Sequence, residues 1–277
     1  MPELPEEETV RSGLARYVVG KQIISAQSFH PRAVKSTSIA PLSTLNGVKI
    51  HDIKRRGKFL WFEFNREFVL VAHLGMSGQL LVQRSNFGES PHLRARFELR
   101  SQNVTKNEIK FIDQRTFGWL SIETSNDGVP TSLSKIALDP FEANFDLKAV
   151  IINIKRRKCA IKRAILNQNI ISGIGNIYAD EALWRSKIHP EIICEDLTEL
   201  EIKNLINAAK SVMRSAIKAG GTSFGEQSYG TCGHETHLIG QATHFQDLEL
   251  RSLRVSSCER LRKSLVQIVS YAFTTPF

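Results

Sequence analysis

The chain reads as an α+β protein: one helix introduces an antiparallel β-sandwich domain, and a helical domain follows. Three observations lead there. In residues 46–123 short segments alternate apolar and polar side chains with the two-residue period of strands, punctuated by Gly57, Gly75, Gly78, Gly88 and Gly118. Beyond a Pro-, Asp- and Gly-rich stretch at 125–147 the apolar period lengthens to that of helices. The length of 277 residues corresponds to two domains at roughly 150 residues apiece.

The first helix follows from Pro5, suited to a first helical position, from Glu6, Glu7 and Glu8 at the positive end of the helix dipole, and from the stripe Val10, Leu14, Tyr17 and Val18. Strands are expected at 48–50, 59–64, 68–72, 80–82, 94–99, 109–112 and 119–122, and their regular spacing with glycine turns suggests a sandwich or barrel. The domain boundary falls in 125–147. A helical pair at 160–168 and 176–186 flanks the turn Ile170-Ile171-Ser172-Gly173-Ile174-Gly175. The clearest helix starts at the capping box Thr198/Glu201, carries Ile202, Leu205, Ile206, Ala209 and Met213 on one stripe, and stops at Gly220-Gly221. That stripe reads as core.

Composition excludes several classes. Hydrophobic residues are 42% and charged residues 23%, which fits a globular chain and not a disordered, collagen-like or membrane-spanning one. The net charge of +9 attracts a polyanion, nucleic acid first. Cys159, Cys194, Cys232 and Cys258 are widely spaced, with no Cys-x-x-Cys pair and no secretory signal, so a reduced cytoplasmic setting is expected.

Some residues could carry chemistry. Removal of Met1 would leave Pro2 as the amino terminus, and an α-amino group, with a pKa of about 7.7–8.0 against about 10.4 for lysine, is partly neutral and nucleophilic near pH 7. Such an amine can attack a sugar C1′ and form an iminium adduct; an ordinary second residue is the competing reading. Glu3 beside it could protonate a leaving sugar oxygen, or simply start the helix. Lys58, after Arg55-Arg56-Gly57 at the start of a strand, could place a cation at a phosphate or in a pocket, or be a solvated lysine. The turn 172–178 could bring backbone N–H groups to an anion, with Asn176 as helix cap. Lys158 and Lys162, one turn apart at the front of the preceding helix, would point two cations the same way.

Five segments, Met1-Pro2-Glu3-Leu4-Pro5-Glu6, Arg56-Gly57-Lys58, His73-Leu74-Gly75-Met76-Ser77-Gly78, Asp113-Gln114-Arg115-Thr116-Phe117-Gly118 and Gly173-Ile174-Gly175-Asn176-Ile177-Tyr178-Ala179-Asp180-Glu181, together resemble the bacterial formamidopyrimidine-DNA glycosylases. The agreement runs from residue 1 to about 224. Leu4, Met76, Arg115 and Phe117 favour this oxidised-purine branch over the endonuclease VIII branch. The resemblance implies a catalytic sandwich domain at 1–135 and a DNA-binding helical domain at 136–224 with a helix-two-turns-helix motif, facing each other across a basic cleft, and base flipping from duplex DNA. It implies Pro2 as Schiff-base nucleophile, Glu3 as acid, Lys58 as the amine assisting elimination, and His92, Arg115, Lys158 and Asn176 as DNA contacts, with Lys162 adding a cation. Met76, Arg115 and Phe117 would fill the space left by the flipped nucleotide; on their own, Met76 and Phe117 also read as core residues.

The tail, 225–277, departs from the pattern. The family ends in a zinc hairpin with two Cys-x-x-Cys pairs and a phosphate-holding arginine. Here Cys258-Glu259-Arg260-Leu261 has leucine where the second cysteine would stand, no cysteine follows, and 264–277 contains no Lys or Arg. Cys258 is the one match to the family's ligands, so no metal and no other cofactor is expected. A zincless finger, a degenerate hairpin and a frameshift product all fit; Cys232, His234, His237 and His244 match no ligand motif and read as scattered surface residues. The function implied is a monomeric, cytoplasmic base-excision-repair enzyme acting on double-stranded DNA, a glycosylase for 8-oxoguanine and formamidopyrimidines with an abasic-site lyase activity. The alternatives are a catalytically impaired or non-catalytic damaged-DNA-binding relative, and a lyase with little base excision.

Overall fold

The computed structural model describes residues 2–85, 88–100 and 107–221. Helix α1 (Leu4–Val18) is followed by strands β1 (Ile23–Ser28), β2 (Ile50–Arg56), β3 (Phe59–Phe64), β4 (Phe68–His73), β5 (Gly78–Arg84), β6 (Leu93–Leu99), β7 (Asn107–Asp113), β8 (Trp119–Asn126) and the short β9 (Val129–Pro130). Helices α2 (Leu147–Lys155), α3 (Ile161–Leu166), α4 (Asn176–Ser186) and α5 (Glu199–Lys218) complete the described chain.

The strands form two antiparallel sheets, ordered β1-β6-β7-β5 and β2-β3-β4-β8-β9. Period-two patterning turns Ala95, Phe97, Ile109 and Phe111 of one sheet and Ile53, Leu60, Phe62, Leu70 and Ile122 of the other into a common core. The stripe of α1 joins that core: Leu14 and Val18 have no exposed surface, and each fully buried side chain of this kind contributes about 1.5–3 kcal/mol. This is a sandwich with a helix against its core. A second core gathers Ile154, Ile161, Ile165, Ile174, Tyr178, Leu183, Leu205 and Met213 from α2–α5 and their turns. Its unexpected member is Leu4, the first residue of α1. The N-terminal helix therefore belongs to both cores.

Thr198 caps α5 as anticipated: its Oγ1 accepts from the Glu201 N–H at 3.2 Å, and the Glu201 carboxylate accepts from the Thr198 N–H at 2.7 Å. Other elements differ from expectation. Of the run 48–50 only Ile50 enters β2, which continues through Lys54, Arg55 and Arg56. Carboxylates make that basic strand tenable: Lys54 pairs with Glu63 at 2.8 Å, Arg55 with Asp139 at 2.7 Å and Arg56 with Glu142 at 3.1 Å. Strand β1, helix α2 and the short β9 were not anticipated. Alternation in β1 is weak because its third residue, Ser25, is half-buried and a register shift interrupts its pairing with β6. Helix α2 starts at the end of the stretch read as a linker, with Asp146 as its cap. Among the described residues no helix is long and apolar enough to cross a membrane. The tail 225–277, with Cys232 and Cys258, lies outside the described residues.

Candidate active site

The site is built where α1 meets the glycine turn before α4. The Leu4 N–H donates to the Gly173 carbonyl at 3.1 Å, which fixes the register between the two segments. Gly173 lies in the left-handed region at φ +90°, and a Cβ there would stand 2.4 Å from Leu4 Cδ1. A Cβ on Gly175 would stand 2.2 Å from Glu3 Cδ. Both glycines are needed for the approach.

That approach delivers Glu3 to the N-terminus of α4. Its Oε2 accepts from the Gly175 and Tyr178 N–H groups at 2.8 and 3.3 Å, and its Oε1 from the Ile177 N–H at 3.0 Å. The expected arrangement is corrected here. The N-cap is Gly175, not Asn176, because Asn176 already has helical position and the carboxylate that fills the cap comes from Glu3. The anion held by the turn is thus the chain's own, and Asn176 is left with an exposed side chain.

Burial raises the Glu3 pKa above the ordinary carboxylate value, although the N–H donors and the Lys58 charge oppose the rise. Lys58 is buried at 7% exposure rather than solvated, and lies in the turn between β2 and β3 rather than in a strand. Burial lowers its pKa, against the pull of Glu3, Glu7 and Glu6. Pro2 is buried beside Glu3. A buried amine of lowered basicity and a buried carboxyl of raised pKa are the states that proton transfer near neutral pH requires.

The three glutamates expected at the helix start have separate tasks. The Glu3 N–H donates to Glu6 Oε2 at 2.9 Å, and the Tyr178 hydroxyl to Glu6 Oε1 at 2.8 Å. Glu8 accepts from Arg11 and from Arg55. Glu7 is 1% exposed, its Oε2 has no hydrogen-bond partner, and burial raises its pKa well above the usual value. His73, half-buried against Phe59 and Trp119 with ring centroids 4.9 and 5.6 Å away, is pushed down to about 4 by desolvation and by Lys58 and Lys35.

A second group of residues forms two exposed loops. Met76 and Phe117 are 41% and 55% exposed, so neither is a core residue. Arg115 Nη1 lies 3.7 Å from Met76 Sδ. Fully buried Asp113, absent from the sequence-based site, clamps the loops: Oδ1 accepts from Ser77 Oγ at 2.5 Å and the Arg115 N–H at 3.1 Å, and Oδ2 from the Gly118 N–H at 2.7 Å. Its signal was the motif Asp113–Gly118 itself, in which an acid precedes a turn with Thr116 at φ +54°. His92 adjoins this clamp, its carbonyl accepting from the Asp113 N–H at 2.9 Å.

Lys158 is exposed in the segment before α3 and not on the helix, so the two lysines do not form a helical pair. Lys162 is turned to Asp180 of α4, 2.6 Å away. Two clefts of the described surface, one lined by Glu8, Arg11, Asp52 and Arg56 and another by Phe145, Leu147, Ile151 and Leu200, contain none of the predicted site residues.

Residues 1–120 match the formamidopyrimidine-DNA glycosylase N-terminal domain and residues 136–228 the formamidopyrimidine-DNA glycosylase H2TH domain. The chain belongs to the formamidopyrimidine-DNA glycosylase family. Family members from Salinispora arenicola and Rhodococcus erythropolis are 42% and 46% identical over 227 and 232 residues, covering 81% of this chain and 78% and 79% of theirs. Among solved formamidopyrimidine-DNA glycosylases, that of Lactococcus lactis with DNA containing N7-benzyl-Fapy-dG superposes with a TM-score of 0.76 at 32% identity, covering 88% of this chain and 86% of the other. The same protein with abasic-site DNA gives 0.73 at 31%, covering 88% and 85%.

Proposed function

We propose that the chain is a base-excision-repair DNA glycosylase that removes oxidised purines, 8-oxoguanine and formamidopyrimidines, from double-stranded DNA and then cleaves the abasic site as a lyase. Family membership supports the class of reaction. The observation that carries the reading is the buried Glu3 carboxyl, held by three backbone N–H groups beside buried Pro2 and buried Lys58, whose basicity burial lowers.

In this reading Met1 is removed and the Pro2 amine attacks C1′ of the damaged nucleotide. The glycosidic bond breaks, the base leaves, and Glu3 delivers a proton to the sugar oxygen as the ring opens to an iminium. Lys58 assists loss of the C2′ proton, and the 3′ phosphate departs in β-elimination. Met76, Arg115 and Phe117 occupy the gap left by the flipped nucleotide, an exposed apolar and cationic wedge that offsets unstacking. His92, Arg115, Lys158 and Asn176 hold the backbone from exposed or half-buried positions. Lys162 contributes less, since Asp180 already neutralises it. A cytoplasmic location follows from the substrate.

The family's zinc does not fit the donor set at Cys258: Leu261 stands where the second thiolate of a Cys-x-x-Cys pair would be. No step is assigned to a metal, and without the finger's arginine β-elimination outruns δ-elimination. Two assays test the reading together: borohydride trapping on an abasic duplex, and excision of 8-oxoguanine opposite cytosine. A trapped adduct with excision is expected. Binding without either product would establish the non-catalytic alternative, and trapping without excision the lyase alone.

A further inference from the structure

Two of the four cysteines face each other in the helical region. The segment before α3 and the turn after residue 190 form a short antiparallel bridge, with Ala160 opposite Ile193 and the Ile161 N–H donating to the Ile192 carbonyl at 2.8 Å. One step outward in the same register, Cys159 stands directly opposite Cys194, whose N–H donates to the Cys159 carbonyl at 3.0 Å. Directly opposed residues of such a pair have Cα atoms about 4.5–5.5 Å apart, inside the range of about 4.4–6.8 Å that a disulfide spans. Their side chains leave the same face of the bridge.

The environments of the two differ. Cys194 is sealed in the core with no exposed surface, and burial together with the Cys159 neighbour pushes its thiol up to about 12. Cys159 is half-buried and follows the exposed Arg156, Arg157 and Lys158, so it is the one of the two that a small oxidant can reach. A half-buried thiol with a second cysteine directly opposite it in register is the arrangement of a sulfenate-forming cysteine and its resolving partner.

We propose that Cys159 and Cys194 are a reversible dithiol–disulfide pair, in which Cys159 takes the oxidant and Cys194 closes the bond. With hydrogen peroxide, the Cys159 sulfur attacks one oxygen; an S–O bond forms, the O–O bond breaks, and the departing hydroxide leaves as water with the Cys159 proton. The Cys194 sulfur then attacks Cys159. The S–S bond forms, the S–O bond breaks, and the second hydroxide leaves as water with the Cys194 proton. Two thiols and one peroxide give one disulfide and two waters, two electrons passing from sulfur to oxygen. A reducing dithiol reverses the change.

The full-length protein is exposed to hydrogen peroxide, alkylated, and digested with trypsin without reduction. Mass spectrometry should find peptide 159–162 joined to peptide 188–203, and dithiothreitol should separate them. In C194S, dimedone should label Cys159 as a sulfenic acid; in C159S, Cys194 should stay unoxidised. Dimedone labelling of Cys159 in the unaltered chain with no joined peptides would overturn the proposal, as would Cys194 joined instead to Cys232 or Cys258.

Discussion

Glu3 satisfies two demands that usually conflict. As cap of α4 it must accept hydrogen bonds, which favours the ionised form; as an acid it must hold a proton, which burial favours. Burial prevails. Glu3→Gln keeps the size but cannot release a proton, and one positioned acid accounts for about 10²–10⁴ in rate. Excision of 8-oxoguanine is expected to fall by that factor, with a smaller loss of borohydride trapping on an abasic site, where no base has to leave; gel assays of both substrates check the difference. Glu7 stands one turn along the helix and presents a separate matter. Its folded pKa is raised above the unfolded value, so its contribution to stability is complete below the ordinary carboxylate range and declines as pH rises toward the folded value. Glu7→Gln removes that decline. Relative to the parent, the variant should gain stability between pH 5 and pH 8, with a slope of up to about 1.4 kcal/mol per pH unit, measured by denaturant unfolding at several pH values. A constant difference across that range would place the Glu7 proton elsewhere.

At the scale of elements, Asp113 ties the loop after β4 to the loop after β7 through three hydrogen bonds. Asp113→Ala leaves two N–H donors and a hydroxyl without their acceptor, at a cost of about 1–3 kcal/mol for each buried group left unpaired. The wedge of Met76, Arg115 and Phe117 then loses its fixed geometry, and excision from duplex DNA should drop far more than trapping on a single-stranded abasic oligonucleotide, which needs no wedge. Equal losses on the two substrates would show that Asp113 supports the chemistry instead. Much at this scale was legible beforehand: the stripe of α5 and its capping box are local patterns, as are the alternations of β3 and β6. What escaped was non-local. Nothing within a few residues of Glu3 announces that its partners are Gly175, Ile177 and Tyr178, and nothing near Lys162 announces Asp180. Lys58 looked solvated because Arg55-Arg56-Gly57 precedes it; only the fold brings Glu3, Glu7 and Glu6 at the start of α1 close enough to offset the burial of its charge. Asp113 was visible as a residue, but its role depends on a second loop.

At the scale of the whole molecule, the two cores meet at α1, whose Leu4 is buried among the helices while Leu14 and Val18 are buried in the sandwich. The described chain therefore assembles its candidate site from the packing of its two cores. Less than about half an equivalent of zinc per chain is expected by elemental analysis, and trapping activity should survive chelation, unlike that of a domain whose folding depends on bound metal. Stoichiometric zinc would mean that the tail finds ligands other than a pair of Cys-x-x-Cys motifs.

The burial of Pro2 also sets a timetable for biosynthesis. Residues 173–178, which close over the N-terminal segment, are translated roughly 170 residues after it, an interval of about ten to thirty seconds at 5–20 residues per second. Within that interval Pro2 and its peptide bond to the preceding residue are still open to an aminopeptidase; afterwards Pro2 is buried. Maturation of the proposed nucleophile is then a race between a processing enzyme and the ribosome, decided once for each molecule. Chains made while methionine aminopeptidase is inhibited should emerge untrappable by borohydride. Adding the aminopeptidase to the folded product should not rescue them, whereas treatment under mild denaturant followed by refolding should, with N-terminal sequencing to follow the change.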